Sequence, residues 1–368
     1  MTSSSEKRTL LTLSRRYPIV MLSGPHGCGK SALARQCFPG KSFIDLKNSS
    51  VQSIASKSPK TFLMAFPDGA VINEVSLVPG MIEAIRYHVD RMGALPGKYI
   101  LTSTRRFEAD PMDGRLVVIN TLGMDVNDME IEKVSTYNPF TVMLNGQYPG
   151  VLAGEKTVAR IIDETIEGFV RNNINISNLP VFRHFMQLCA RQSSCLISMN
   201  SLATAVGVSA PTAKKWIRLL EGYNVLRIID SHIFFTDSGV LCYLLDITRS
   251  EDLILSPFKE AVTITFALNE LLKGRYSKTF EPEICILRAG KDSCPVFLAQ
   301  WNQRYEMVIE PNIDVTEETI SRLQKLNRKQ GTKTLVLYLG DVTYSIGRTD
   351  CISFRDWSKL ASEIDYFS

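Results

Sequence analysis

The eight residues Gly24-Pro25-His26-Gly27-Cys28-Gly29-Lys30-Ser31 constrain this 368-residue chain more than any other stretch. They follow a short apolar, β-branched run, "IVML", and lead into "SALARQCF", which has helical composition. Strand, glycine-rich loop and helix, in that order, is the context that the pattern G-x-x-x-x-G-K-[ST] requires. Loop glycines let backbone N–H groups turn inward around a polyanion. The helix behind them adds the positive end of its dipole. Residues 24–32, ending at Ala32, are therefore expected to cradle the phosphates of ATP. Lys30 is expected to reach the β- and γ-phosphates and to act in catalysis, and the Ser31 hydroxyl to ligate Mg²⁺.

Downstream, buried strands are expected at "SFIDL" (42–46), "GAVINEV" (69–75), "KYILTST" (98–104) and "RLVVINTL" (115–122). Helices are expected at "PKTFLMAF" and "PGMIEAIRYHVDRM" between them. Alternation of this kind implies an α/β fold with a parallel sheet covered on both faces. Ligands bind at the carboxyl ends of such strands. The polar tips Asn73-Glu74 and Thr102-Ser103-Thr104 then face the phosphates.

At 73–74 a nucleotide-hydrolysing site of this type normally carries two acids. Asn73 is expected to hold Mg²⁺ through its water shell, and Glu74 to orient or deprotonate the attacking water. The amide keeps the shape of an acid and loses one charge. Binding should survive and Mg²⁺-dependent steps should slow, so an acid restored at 73 is expected to raise turnover about tenfold or more. Arg105, Arg106 and Arg115 follow strand tips or turns. Any of them either contacts a γ-phosphate, in cis or across a subunit boundary, or is a solvated surface arginine.

Bulk properties exclude several classes. The net charge of +4 is too mild to imply nucleic acid without a local basic face. Eight scattered cysteines form no Cys-x-x-Cys pair, and four histidines offer no metal cluster. No apolar run approaches the ~18 residues of a membrane span, and the N-terminus lacks a signal-peptide core. A reducing cytoplasm, with no membrane partner, is expected.

Beyond the first domain, "TVARIIDETIEGFVRNN" (157–173) is expected as a lid or connector helix, and "NNINISN" (172–178) as a boundary. Helices follow at "VFRHFMQLCARQ", at "SMNSLATAVGV" with Ser198 or Asn200 near its start, and at "SAPTAKKWIRLLEGYNVL", opened by Ser209 with Pro211 just inside. This is a helix-turn-helix pattern, and "LRIIDSHIFFTD" alternates like wing strands. Lys214, Lys215 and Arg218 either contact DNA or lie on a solvated face of a structural domain. A further helix, "SPFKEAVTITFALNELLKGRYS", precedes strand-like runs at "EICILRAG", "CPVFLAQW", "YEMVIEP", "KTLVLYLG" and "VTYSIG", with a helix expected between Glu317 and Gln330.

Taken with "VINEVSLVP", "YILTSTRRF" and "DGRLVVINTL", these motifs resemble a family of ATPases of bacteria and archaea. Those proteins join an AAA-type P-loop domain to a winged helix and a nuclease-like C-terminal domain. The likeness runs through most of residues 16–275. It implies nucleotide binding at Lys30 and Ser31, a catalytic acid at Glu74, and a nucleotide contact at Arg115, which matches the family's Gly-Arg. The sequence departs from the family at Asn73, usually Asp, at Ser76, usually Gln, and at 103–105, usually a Gly-Ser run.

The last segment resembles a restriction-nuclease-like fold, in which a strand Asp and a Glu-x-Lys hold Mg²⁺. Here Val296 falls near the Asp position and Glu310 is followed by Asn312 in place of Lys. Glu260 and Glu270 remain on the helix. Nuclease chemistry is not expected. The expected organisation is an AAA-type P-loop domain with connector helices (1–175), an all-α winged helix (176–250), and a small, degenerate nuclease-like α/β domain (251–368). The expected activity is binding and weak Mg²⁺-dependent hydrolysis of ATP that repositions the other two domains. The alternative is a DNA-binding regulator in which ATP is a structural ligand. DNA through the winged helix, and self or another protein through the last domain, are the remaining expected partners.

Overall fold

The computed structural model describes residues 3–107, 114–132, 138–171, 178–273, 283–287, 296–300, 304–317, 319–321, 333–347 and 349–357. Most of the boundary segment 172–178 and most of the helix expected between Glu317 and Gln330 lie outside them.

The first unit runs α1 (Ser4–Ser14), β1 (Ile19–Ser23), α2 (Lys30–Cys37), β2 (Phe43–Asp45), α3 (Ser49–Lys57), α4 (Pro59–Leu63), β3 (Ala70–Asn73), α5 (Met81–Met92), β4 (Tyr99–Ser103) and β5 (Leu116–Asn120). All five strands are parallel, in the order β2-β3-β4-β1-β5. Successive side chains of a strand point to opposite faces. Ile19 and Met21 accordingly join Ala55, Leu63 and Ile85 under α3, α4 and α5. Val20 and Leu22 join Leu10 of α1 and Leu33 of α2 on the other face. With both faces covered, only the strand ends are open to a ligand, and the register sets Asp45 beside Asn73 and Ser23 beside Ser103 and Asn120 along one edge.

Helices α6 (Val126–Ile131), α7 (Pro139–Asn145), α8 (Pro149–Leu152) and α9 (Val158–Arg171) follow. Next come α10 (Leu179–Arg191), α11 (Met199–Val206), α12 (Ala210–Gly222), and the antiparallel pair β6 (Leu226–Ile229) and β7 (His232–Phe235). Ser198 caps α11 and Ser209 caps α12, with Pro211 in its first turn. This segment is not all-α, because "LRIIDSHIFFTD" pairs as a hairpin. Its core is aromatic: the Trp216 ring centroid lies 5.2 Å from those of both Phe182 and Phe185.

Three more helices, α13 (Ser238–Leu244), α14 (Ser250–Leu255) and α15 (Lys259–Lys273), lead to a six-stranded mixed sheet. Its strands are β8 (Glu283–Leu287), β9 (Val296–Gln300), β10 (Arg304–Glu310), β11 (Lys333–Tyr338), β12 (Tyr344–Ile346) and β13 (Thr349–Ser353), in the order β12-β13-β11-β10-β9-β8. β8, β9 and β10 form an antiparallel meander, and β11 lies parallel to β10. One buried apolar cluster runs continuously from Met124 through α9–α15 to Trp357. Among the described residues no helix is long and apolar enough to cross a membrane.

Where the first unit meets that cluster, buried charges collect. Asp125 caps α6 by accepting from Asp128 N at 2.7 Å. Burial, and then the nearby Glu270 and Asp128 charges, push its carboxyl up from 3.8 to about 7. The folded chain therefore holds a proton there more tightly than the unfolded chain. The resulting stability is present below about pH 4 and is lost as pH rises to about 7. Asp125→Asn preserves the cap and removes the titration. Denaturant unfolding should find the variant more stable than wild type at pH 8 and the difference gone at pH 4. A difference independent of pH would show that Asp125 does not titrate in this window.

Candidate functional site

The phosphate-loop residues come together at the carboxyl edge of the first sheet. Gly29 stands at φ 100° at the start of α2, a backbone conformation that L side chains rarely adopt. Lys30, buried, turns back on its own loop. Its Nζ donates to the carbonyls of Gly24 at 2.8 Å and Pro25 at 2.7 Å, and lies 3.6 Å from Cys28 Sγ. Those carbonyl oxygens occupy the cation as phosphate oxygens would. Burial pushes the Cys28 thiol up to about 11, so it stays neutral beside the ammonium.

Behind the loop, Ser31 Oγ donates to Asn73 Oδ1 at 2.5 Å, and Thr102 Oγ1 donates to the same oxygen at 2.7 Å. Asn73 Nδ2 donates to Asp45 Oδ1 at 2.9 Å. Both ends of the amide are bonded, which fixes its orientation. Ser31 Oγ and Asn73 Oδ1 are adjacent hard oxygens of the kind Mg²⁺ takes, so the residues fit that ion. No sequence motif marks Asp45, which lies 28 positions upstream of Asn73 and reaches it only through the β2–β3 register.

Glu74 is buried and sits at φ 58°, a left-handed conformation that costs on the order of 1 kcal/mol for a residue with a Cβ. Its N–H donates to Thr102 Oγ1 at 3.0 Å. Its Oε2 accepts from Thr104 N at 3.1 Å and Thr104 Oγ1 at 2.9 Å, and Lys47 Nζ stands 4.0 Å from Oε1. The expected tips 73–74 and 102–104 thus share one place.

Arg115 does not. Ile19 N donates to its carbonyl, which puts Arg115 at the opening end of β1, and its Nε pairs with Asp90 at 2.6 Å. The phosphate loop leaves the other end of that strand, roughly 13 Å away along four residues. The structure thus sets Arg115 at the end of the strand away from the phosphate loop. The exposed Arg105 gives its carbonyl to Ser23 and Ser103 hydroxyls, and Arg106 N donates to Gly222 O at 2.7 Å.

The α8–α9 segment closes over the loop. A Cβ on Gly27 would meet Ile161 Cδ1 at 2.8 Å, and one on Gly29 would meet Pro149 Cγ at 3.1 Å. Glu164 of α9 gathers three donors: His26 Nε2 at 2.6 Å, Lys156 Nζ at 2.6 Å and Arg160 Nε at 3.0 Å. Burial lowers the His26 pKa to about 4 despite the hydrogen bond to Glu164, so the ring is neutral at pH 7. Burial opposes the Glu164 charge, but hydrogen bonds from Lys156 and His26 outweigh it and hold the carboxyl at about 2. A cleft of about 250 Å³ lies between these groups and is also lined by Lys47, Glu74, Thr104 and Tyr223. Sequence periodicity marks 157–173 as a helix but gives no sign that Lys156, Arg160 and Glu164 face the loop.

Helix α12 reaches the same edge. Asn224 Nδ2 donates to Thr104 O at 3.2 Å, and the Tyr223 ring packs 4.8 Å from that of Phe169 in α9. Lys214, Lys215 and Arg218 lie on the exposed face of α12, opposite the buried Ala213, Trp216, Ile217 and Leu220. In the last sheet, Val296 pairs with Val308. Glu310 accepts from Asn312 Nδ2 at 2.6 Å, from Thr316 Oγ1 at 3.2 Å and from Thr319 Oγ1. Lys259 Nζ donates to Asn312 Oδ1 at 2.7 Å. Glu270 is buried in the charged network at the first unit's margin, away from this cluster.

A family model described as an AAA domain matches residues 16–129. A second, described as a domain of unknown function, matches 139–251 and so runs across the expected boundary at 175. Among solved structures, a Walker-type ATPase of Pyrococcus abyssi is 17% identical, with 66% of this chain and 95% of that chain covered at a TM-score of 0.42. The RuvB Holliday junction branch migration motor of Thermotoga maritima is 13% identical, with 63% and 90% covered at a TM-score of 0.32. No curated protein matches. Residues 16–129 are an AAA-type P-loop domain, the kind that binds ATP.

The carboxylate of Glu164 stands where it competes with an incoming polyphosphate for Lys156 and Arg160. Glu164→Gln removes that charge without changing size. Nucleotide affinity, measured by fluorescence titration, should rise about tenfold. Unchanged or weakened affinity would show that Glu164 serves only to hold the lid.

Proposed function

We propose that the chain binds ATP, hydrolyses it slowly with Mg²⁺, and transmits the nucleotide state to residues 178–250. The observation that carries this reading is the convergence of Lys30, Ser31, Asn73, Glu74 and Thr104 on one sheet edge under α9. Lys30 and the loop N–H groups bind the β- and γ-phosphates. Ser31 and, through water, Asn73 would hold Mg²⁺, which would supply charge neutralisation for phosphoryl transfer. Glu74 orients the attacking water and takes its proton. Thr104 keeps the Glu74 carboxylate in place from two sides.

The path to residues 178–250 is short. Thr104 binds Glu74 by its N–H and hydroxyl and Asn224 by its carbonyl, so a movement of Glu74 is felt at the end of α12. We read α10–α12 and the β6–β7 hairpin as a winged helix, supported by the capped turn between α11 and α12 and by the hairpin beside them. The exposed Lys214, Lys215 and Arg218 favour DNA as the ligand of that helix, with ATP as regulator. Replacing all three with Ala should reduce the salt slope of duplex binding by up to about 3. We read α15 and β8–β11 as a nuclease shape without nuclease chemistry, because the Glu310 oxygens are taken by Asn312, Thr316 and Thr319 and the position across from Val308 is Val296.

Two substitutions separate binding from turnover. Lys30→Ala should abolish ATP binding, since it removes the one side-chain cation that the loop directs at the phosphates. Glu74→Gln should leave binding intact and lower turnover at saturating ATP and Mg²⁺ by about a hundredfold or more. Equal ATP affinity in wild type and Lys30→Ala would reject the site. Full turnover in Glu74→Gln would remove Glu74 from catalysis.

A further inference from the structure

We infer that Asp45, at the tip of the neighbouring strand β2, supplies the negative charge toward Mg²⁺ that Asn73 lacks. This rests on the nucleotide-site reading above. Three observations carry it. The Asn73 amide is clamped between Ser31 Oγ at 2.5 Å on its oxygen and Asp45 Oδ1 at 2.9 Å on its nitrogen, so the carboxylate is linked through the amide, by two hydrogen bonds, to the hydroxyl expected on the ion. The β2–β3 register sets Asp45 directly beside Asn73 at the phosphate-facing ends of both strands. Asp45 has a second bond, from Lys47 N at 3.0 Å to the same Oδ1, which turns the chain after β2 and holds the carboxylate facing Asn73.

The arrangement also says why position 73 is an amide. An ionised acid there could not donate to Asp45, and it would lose the hydrogen bond that joins the two strand tips. The carboxylate beside position 73 lies on β2 here, where the usual pattern has the acid on β3. The expectation drawn from position 73 alone, that Asn73→Asp raises turnover about tenfold, therefore reverses: alone it should gain little.

The test is a charge-swap cycle read by the Mg²⁺ concentration at half-maximal tightening of a fluorescent ATP analogue, beside its affinity in EDTA. Asp45→Asn keeps the turn, since an amide oxygen accepts from Lys47 N as well. It should raise the Mg²⁺ requirement about tenfold and leave the EDTA affinity within about twofold. Asn73→Asp alone should stay within about threefold of wild type. Asp45→Asn with Asn73→Asp should return the requirement to within about threefold of wild type, which a merely structural role for Asp45 would not allow. An unchanged requirement in Asp45→Asn, or a tenfold drop in Asn73→Asp alone, overturns the inference while leaving the nucleotide site standing. Failure of the double substitution to restore the requirement, with thermal unfolding unchanged, also overturns it. Absence of nucleotide binding by wild type overturns both readings.

Discussion

Everything beyond the first sheet is hung on two opposite charges that water does not reach. Glu270 and Lys273, one turn apart on α15, are 0% and 1% exposed. Lys273 Nζ donates to Met124 O, Gln147 Oε1 and Glu270 Oε1. Glu270 accepts from Val126 N and from Gln147 Nε2. Gln147 N in turn donates to Asp237, which caps α13. Such a pair is weak evidence of net stability, because desolvation opposes its attraction. Its consequence is specificity: breaking it by removing one partner typically costs about 3–5 kcal/mol, so only the docking that satisfies every member is allowed. The exit from β5, the α7–α8 turn, α13 and α15 therefore hold one arrangement, and α9 is delivered over the phosphate loop by it.

That arrangement gives the lid two neighbours. On one side Ile161 and Glu164 meet the loop. On the other, Phe169 packs 4.8 Å from the ring of Tyr223 and 5.9 Å from that of Phe182. On the proposed function, a movement of α9 with nucleotide would drag or release an aromatic cluster that includes Trp216 of α12. Together with the Glu74–Thr104–Asn224 hydrogen bonds, this makes two contiguous routes from the phosphates to the helix bearing Lys214, Lys215 and Arg218. Contiguity is a physical precondition of coupling.

What the sequence discloses is what is local. The phosphate loop is legible because its pattern, glycines and a lysine at a helix start, lies within eight residues. The five strands of the first sheet are legible because burial on both faces makes each a short apolar run. Asp45 is not legible, since its meaning comes from a register 28 residues distant. Glu164 is hidden for a related reason: a helical period tells which residues are apolar, not which neighbour the polar face meets. Arg115 shows the opposite error. A Gly-Arg before a strand has a recognisable spacing, yet the spacing does not say at which end of the sheet it falls, and here that end is the far one. The buried Lys273 and Glu270 read as an ordinary amphipathic pair until α15 is packed on every side.

The Asn73–Asp45 contact bears on how an incomplete motif should be judged. Electrostatic work at an ion depends on charge within a few ångströms, not on which strand carries it. An amide at 73 looks like a loss only when position 73 is weighed alone. Within the sheet it is half of a pair: it passes an oxygen to Ser31 and Thr102 and a nitrogen to a carboxylate next door. The pair also restrains the edge, for the Asn73 side chain bonds Ser31 of α2, Asp45 of β2 and Thr102 of β4. An acid at this position would have to give up the bond to Asp45 to serve the ion, and an apolar residue would give up every bond. On the proposed function the amide would serve the strand tips and the ion together, which is a physical reason for it to stand in the place of an acid.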